Sequence, residues 1–377
     1  MLPRIVYSLL LSVLLLHSFA SYADAGRNSP LNTLVKRIRA LPSKFFKTRN
    51  RGVGKGGRVS RSGKTQSAND EGVGPIIYNG GPVVTGSPHV NIYLVYYGNW
   101  PKGYGQNIIE NFVKSLSSKN GKQGGQGENS VKNWFAVAGN YYMTNNETNK
   151  DRYVGTRARL AGVAYDRFSM GKGPLSPSDI ATIARWQIGP DKALRFDAKG
   201  VYFVLTSNIV EVDGFCTNYC GWHTKAPHYL GSFNLGFVGD HGSCPDPCMP
   251  EPASPNCNTA MDATVSTLAN ELVDTITNPD TETGWMMGDG SEASDNCVGN
   301  YGNDTVEVNY ARNKDGFQFR YNLVGNNGMK FLISKTWDRY ENQCMLQNDL
   351  PEENTPCPNL PAWIRPRVCS IFNRCCG

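Results

Sequence analysis

Residues 262–279, DATVSTLANELVDTITNP, set the constraint that the rest of the chain has to meet. At about 100° per residue, Val265, Leu268, Leu272 and Ile276 fall on one arc, so the segment reads as an amphipathic helix. Thr267, Asn270, Glu271 and Asp274 fall on the opposite arc. Such a helix has to lay its apolar stripe on a sheet or on other helices. The sheet comes from Val90–Tyr97, rich in aromatic and β-branched residues, from a second strong strand at 201–212 and from a third at Gly231–Gly239. A further strand is read at 159–165, and a hairpin at 75–85, PIIYNGGPVVT, turning about Asn79-Gly80-Gly81. Helical spacing recurs at 107–117 and at 131–142, which carries Trp134 and Phe135. It recurs again at 180–188, behind the cap Ser176-Pro177-Ser178-Asp179. This alternation predicts an α/β or α+β domain, a mixed sheet packed with helices.

The amino terminus reads as a secretory signal: Arg4, an apolar run over 5–16, and small residues before a cleavage point near Ala25. That run is too short for a stable membrane anchor, and no other stretch reaches about 18 apolar residues. An exported chain with 11 cysteines points to disulfides. Asn146 and Asn303 each begin a glycan acceptor sequon. The net charge of +6 hides an asymmetry, because residues 27–64 hold 12 Lys or Arg and no acid. Taking those 12 and Arg4 from the 38 basic residues, and Asp24 from the 32 acidic ones, leaves 25 basic and 31 acidic groups in 65–377. The body is mildly acidic, and nothing in it argues for nucleic-acid binding. The expected organisation is a signal at 1–25, a basic Gly/Ser-rich leader or pro-segment at 26–72, a globular domain at 73–337 and a Cys-rich extension at 338–377. A short basic helix is read within the leader at 31–46.

Six cysteines fall in the body (Cys216, Cys220, Cys244, Cys248, Cys257, Cys297) and five in the extension (Cys344, Cys357, Cys369, Cys375, Cys376), so one extension thiol is expected to stay unpaired. The close pairs Cys216/Cys220 and Cys244/Cys248 read as disulfides rather than as a zinc site, with local pairing one option. On the helix, Asn270, Glu271 and Asp274 stand at i, i+1 and i+4, the spacing of a zinc-peptidase HExxH helix. There the outer two side chains hold metal and the Glu is general base. Here Glu271 keeps the base position, Asp274 the second ligand position, and Asn270 replaces the first His. A Gly284-Trp285 turn and then GSEASDNC return Glu292 and Asp295 toward them. An oxygen-only set of Asp274, Glu292 and Asp295 favours calcium or magnesium over zinc, unless His223 joins it. The bland readings are solvated carboxylates on a polar helix face and a hydrogen-bonding structural His223, with His228 and His241 weaker candidates. Asn99-Trp100, Trp134, Trp222 and Trp285 are either core aromatics or a carbohydrate-binding face.

Several segments in order, IYLVYYGNW, NSVKNWFAVAGNYY, VYFVLTSNIVEVDGFCTNYCGWH, FVGDHGSCPDPC and DATVSTLANELVDTITNP, resemble the EXORDIUM family, also called phosphate-induced proteins. The match covers roughly 75–337, and DGFCxxxCGxH followed by CPxxC is its most specific part. The resemblance implies a secreted protein of the extracellular matrix or cell wall tied to growth regulation, with no catalytic activity attached. The 270–279 helix and the 290–297 segment also resemble exported zincin metallopeptidases carrying HELxExxTDP. That implies a zincin-like scaffold which has lost zinc hydrolysis through Asn270. Three functions follow as expectations. The first is a non-catalytic matrix or signalling factor whose partner is a cell-wall polymer, a protein or a carbohydrate. The second is an active metallopeptidase with Glu271 as base, and the third a carbohydrate-binding protein.

Overall fold

In the computed structural model, the described residues are 75–86, 89–117, 129–145, 148–244, 248, 254–302, 306–308 and 319–347. The signal, the leader and its short helix, both sequon asparagines, and Cys357, Cys369, Cys375 and Cys376 lie outside them.

Five strands build the central sheet: β1 (Val90–Tyr97), β2 (Ala158–Asp166), β3 (Val201–Thr206), β4 (Gly221–His228) and β5 (Gly231–Gly239). Their order is β2-β1-β3-β5-β4, parallel except for β4, which runs antiparallel to β5. β1 and β3 are apolar on nearly every residue because both faces are covered, which is how a central parallel strand reads. Ile92, Leu94 and Tyr96, with Phe203 and Leu205, face the main core. That core also holds apolar residues of α1 (Gln106–Ser115), α2 (Val131–Ala136) and α4 (Thr259–Thr277). α3 (Pro177–Gln187) opens with a capping box, Ser176 and Asp179 each bonding the other's backbone N–H. The mixed α/β sheet expected from the alternation is present.

Three local expectations are corrected, and one strand was missed. Residues 75–85 are not a hairpin. Ile77–Tyr78 pairs antiparallel with Trp285–Met286, while Asn79 and Gly81 donate to Gly284 and Thr283. The two apolar runs therefore find partners in distant chain rather than each other. The strand expected over 201–212 stops at Thr206, and Val210 N–H turns back to Ser207 O at 3.0 Å. The helix expected over 131–142 is α-helical only to Ala136, tightens to a 3-10 turn at Val137–Asn140, and gives way to a strand at Tyr142–Asn145. β4 was hidden in sequence behind the cysteine cluster that precedes it.

Candidate functional site: a buried carboxylate–histidine cluster

α4 starts at Asn258, whose side chain accepts from Met261 N–H. Its stripe of Val265, Leu268, Leu272 and Ile276 is fully buried. Its polar arc, expected to be solvated, is mostly closed off, with Thr267 and Asn270 half-buried and both carboxylates buried. Thr264, Thr275 and Thr277 are inaccessible, Asp274 is 3% exposed and Glu271 9%. Thr264 and Thr277 bond back to the carbonyls of Ala260 and Val273, which lets a helix carry hydroxyls where there is no water. The helix is enclosed on the β4 side by the sheet and on the other by the returning chain at 284–297.

Two glycines make the enclosure possible. A Cβ on Gly221, at the start of β4, would lie 2.8 Å from Glu271 Cγ, so only glycine brings β4 this near to α4. A Cβ on Gly284 would stand 2.5 Å from the Thr277 carbonyl oxygen, so only glycine lets the returning chain pass the helix end. Trp285 then packs against Tyr78, Tyr141 and Tyr142, with the Arg339 guanidinium over its ring. That aromatic packing fixes the turn which delivers Glu292 and Asp295.

His223, on β4, occupies the centre. Its Nδ1 lies 3.3 Å from Glu271 Oε2, and its Nε2 lies 3.4 Å from Glu292 Oε1 and 3.1 Å from the Asn278 carbonyl. A carbonyl only accepts, so Nε2 carries a proton. An ionised Glu271 asks for one on Nδ1 as well. Burial alone would lower the His223 pKa, but the charge of Glu292 and the hydrogen bond to Glu271 lift it well above its ordinary value. Asn278, fully buried, donates Nδ2 to Glu292 Oε1 at 2.6 Å and accepts Gly284 N–H on Oδ1 at 2.8 Å.

Beside this pair, Asp274, Glu292 and Asp295 each place a carboxylate oxygen within 4.8 Å of the others. Ser294 N–H bonds Asp274 Oδ1 at 2.6 Å, and Glu292 N–H bonds Asp295 Oδ2 at 3.3 Å. Burial, then repulsion from Asp295 and Glu292, raises the Asp274 pKa far above the carboxylate range. Burial, then Glu292 and Glu271, raises that of Asp295 to about 8. Among the described residues His223 is the one cation that opposes these shifts. Four carboxylates around one imidazolium leave negative charge that a proton or a metal ion has to neutralise. The donor set decides between metals. Both His223 nitrogens face oxygen acceptors, so the ring has no lone pair turned toward the trio, and three hard oxygens fit calcium or magnesium better than zinc.

The structure thus brings Glu271, Asp274, Glu292, Asp295 and His223 into one cluster. Asn270, at the first ligand position, has its Oδ1 buried with no hydrogen-bond partner among the described residues. His241 is fully buried. It is bonded to the Gly239 carbonyl and Thr267 Oγ1, and burial pushes its pKa down to about 4. His228 bonds the Ile188 carbonyl. Trp134, Trp222 and Trp285 are buried, so they are core and not a sugar-facing surface. Sequence reasoning missed Asn278, whose side chain ties the helix end to both Glu292 and the glycine turn. Its place directly before Pro279, where a helix has to stop, was the available signal.

The cysteines do not pair locally. Cys216 bonds Cys244 and Cys220 bonds Cys248, each across 28 residues, because the antiparallel β4–β5 pair brings its open ends together. Cys297 bonds Cys344, tying the loop of Glu292 and Asp295 to the last described strand, Gln343–Met345. Cys257 is exposed and has no disulfide partner among the described residues. No helix among the described residues is long and apolar enough to cross a membrane.

Protein EXORDIUM-like 5 of Arabidopsis thaliana is 28% identical over 298 residues, 72% of this chain and 78% of that protein. Protein PHOSPHATE-INDUCED 1 of Nicotiana tabacum is 28% identical over 292 residues, 71% of this chain and 86% of its own length. No solved structure matches the chain. The family model described as the phosphate-induced protein 1 conserved region matches residues 76–347, from before the first strand of the sheet to just beyond Cys344, and the chain belongs to that family.

Proposed function

We propose that this protein is an exported, disulfide-bonded factor of the extracellular matrix or cell wall that acts by binding and not by catalysis. In this reading Asp274, Glu292 and Asp295 hold a divalent cation, calcium before zinc. The observation that carries it is the convergence of three carboxylates within 4.8 Å of one another, with His223 as the one cation among the described residues acting on them. The signal-like residues 1–25 and the three disulfides support export. Two observations support the loss of peptidase chemistry. An amide replaces the first ligand at Asn270, and Glu271, in the base position, is engaged by His223 instead of an open water site. A protein or cell-wall polymer is the proposed partner, and glycans at Asn146 and Asn303 are proposed with export.

Elemental analysis of the purified full-length protein tests the reading. Stoichiometric calcium is expected, retained by Glu271→Gln and lost in Asp295→Asn. Stoichiometric zinc, together with chelator-sensitive cleavage of a general protein substrate that Glu271→Gln abolishes, would replace it with a metallopeptidase. Circular dichroism on each variant separates loss of metal from loss of fold.

A further inference from the structure

A cavity of about 450 Å³ opens on the face of the sheet turned away from α4, lined among others by Tyr93, Pro190, Lys192, Arg195, Phe196 and Leu230. Side chains alternate along a strand, so Tyr93 and its stacked neighbour Tyr202 lie opposite the core-facing Leu94 and Phe203. The pocket is therefore separate from the carboxylate cluster and owes nothing to it.

Its wall is the loop after α3, which is held by its own backbone. Leu194 N–H donates to the Gln187 carbonyl at 2.8 Å and Gly189 N–H to the Leu194 carbonyl at 2.9 Å. Gly189, at φ +154, admits the Tyr229 hydroxyl to 3.2 Å of where a Cβ would stand. Beyond it Phe196 stacks on His228, and His228 on Tyr229, which is 72% exposed. Tyr229 and Leu230 are exposed at the end of this row, and exposed apolar groups beside a pocket mark a binding surface.

The polar groups define the ligand. Arg195 donates Nε to Tyr93 Oη at 2.9 Å, which sets the direction of its guanidinium, and no η-nitrogen contact is made among the described residues. Lys192 is exposed and has no ion pair among the described residues. Asp197 accepts from Asn91, Tyr93 and Lys199 N–H, and its charge also acts on Arg195. The pocket thus presents two cations, Arg195 with η-nitrogens that make no contact among the described residues and Lys192 with no ion pair among them. The carbonyls of Pro190, Lys192 and Ala193 accept nothing from the described protein, so the wall also offers free acceptors. A ligand that suits both carries a carboxylate and several hydroxyl donors on a compact ring with an apolar face. Inorganic phosphate at neutral pH brings few donors. A peptide backbone would find the N–H groups of Gly189, Lys192 and Leu194 already used. We infer that this pocket binds a hexuronate unit of an acidic saccharide, with its carboxylate on Arg195 and Lys192 and its ring against Pro190, Phe196 and Leu230.

Calorimetry of the full-length protein with linear trigalacturonate, in metal-free buffer containing chelator, tests the assignment. Binding is expected that weakens about tenfold in Arg195→Ala and again in Lys192→Glu, as loss of one charge-assisted contact each requires. The carboxyl-reduced trisaccharide should bind at least about tenfold less tightly than the acid. The chelator keeps metal out of the cation site during the titration, which separates this pocket from that site. Absence of binding by the parent protein, equal binding of the reduced sugar, equal binding of phosphate or oligoglutamate, or indifference to both substitutions would each overturn it.

Discussion

His223 stands between two carboxylates, so its protonation and theirs are one problem. Asp274 and Asp295 hold protons in the folded state at a pH where an unfolded chain has released them. For such groups stability falls as pH rises from the ordinary carboxylate range toward the raised folded value, about 8 for Asp295. The imidazolium of His223 adds the same sign. Its raised pKa contributes fully below about 6.5 and fades as pH climbs through the folded value. Metal-free protein should therefore lose about 5 °C in Tm between pH 5 and pH 8. Added calcium, which competes with those protons, should restore more Tm at pH 8 than at pH 5. Scanning calorimetry with and without chelator reads both, and a metal-free Tm that rises across this window would contradict the cluster's electrostatics. His223→Ala removes the cation between Glu271 and Glu292 and leaves them facing each other across a void, at a cost of about 3–5 kcal/mol. His223→Gln keeps a donor for Glu271 and should cost less than half of that, measured by urea unfolding.

At the scale of the element, α4 shows how far periodicity carries. The apolar stripe of Val265, Leu268, Leu272 and Ile276 was legible because helical spacing and burial coincide there. The fate of the opposite arc was not. Whether Glu271 and Asp274 meet water depends on β4 and on the return at 284–297, both distant in sequence, and on the missing Cβ atoms of Gly221 and Gly284. β1 and β5 were legible to the residue because β1 is a nearly unbroken apolar run and β5 is a largely apolar run bounded by Gly231 and Gly239. β4 carries Lys225, Pro227 and two histidines, as an edge strand tolerates, and so gave no such run. The hairpin at 75–85 failed for the reverse reason, since Asn79-Gly80-Gly81 is a turn signal whose flanking strands find better partners elsewhere. Elements whose signal is local make the safest quantitative test. The Ser176/Asp179 capping box of α3 is local, so Ser176→Ala should lower stability by about 1 kcal/mol and leave calcium content unchanged. A change in metal content there would mean that α3 is coupled to a site across the sheet.

For the whole molecule, the disulfides divide the work between holding the fold and holding the site. In the chain-entropy account a bridge closing 28 residues stabilises by about 3.5 kcal/mol and one closing 47 by about 4 kcal/mol, so entropy hardly separates them. Position does. Cys216–Cys244 fastens the open end of the β4–β5 pair, whose register the sheet already fixes. Cys297–Cys344 anchors a stretch with little regular structure, the one that carries Glu292 and Asp295 to Asp274. Replacing Cys297 and Cys344 together by Ser should therefore lower stability and also weaken calcium binding at least about tenfold, because the ligands must then be ordered at the moment of binding. Replacing Cys216 and Cys244 should lower stability by a similar amount while leaving calcium affinity within about threefold, since β4 and α4 still meet. Unfolding and calcium titration on both double variants distinguish the two roles. Equal loss of calcium from both would mean that the cluster answers to global stability alone, and that the anchored loop has no part in shaping it.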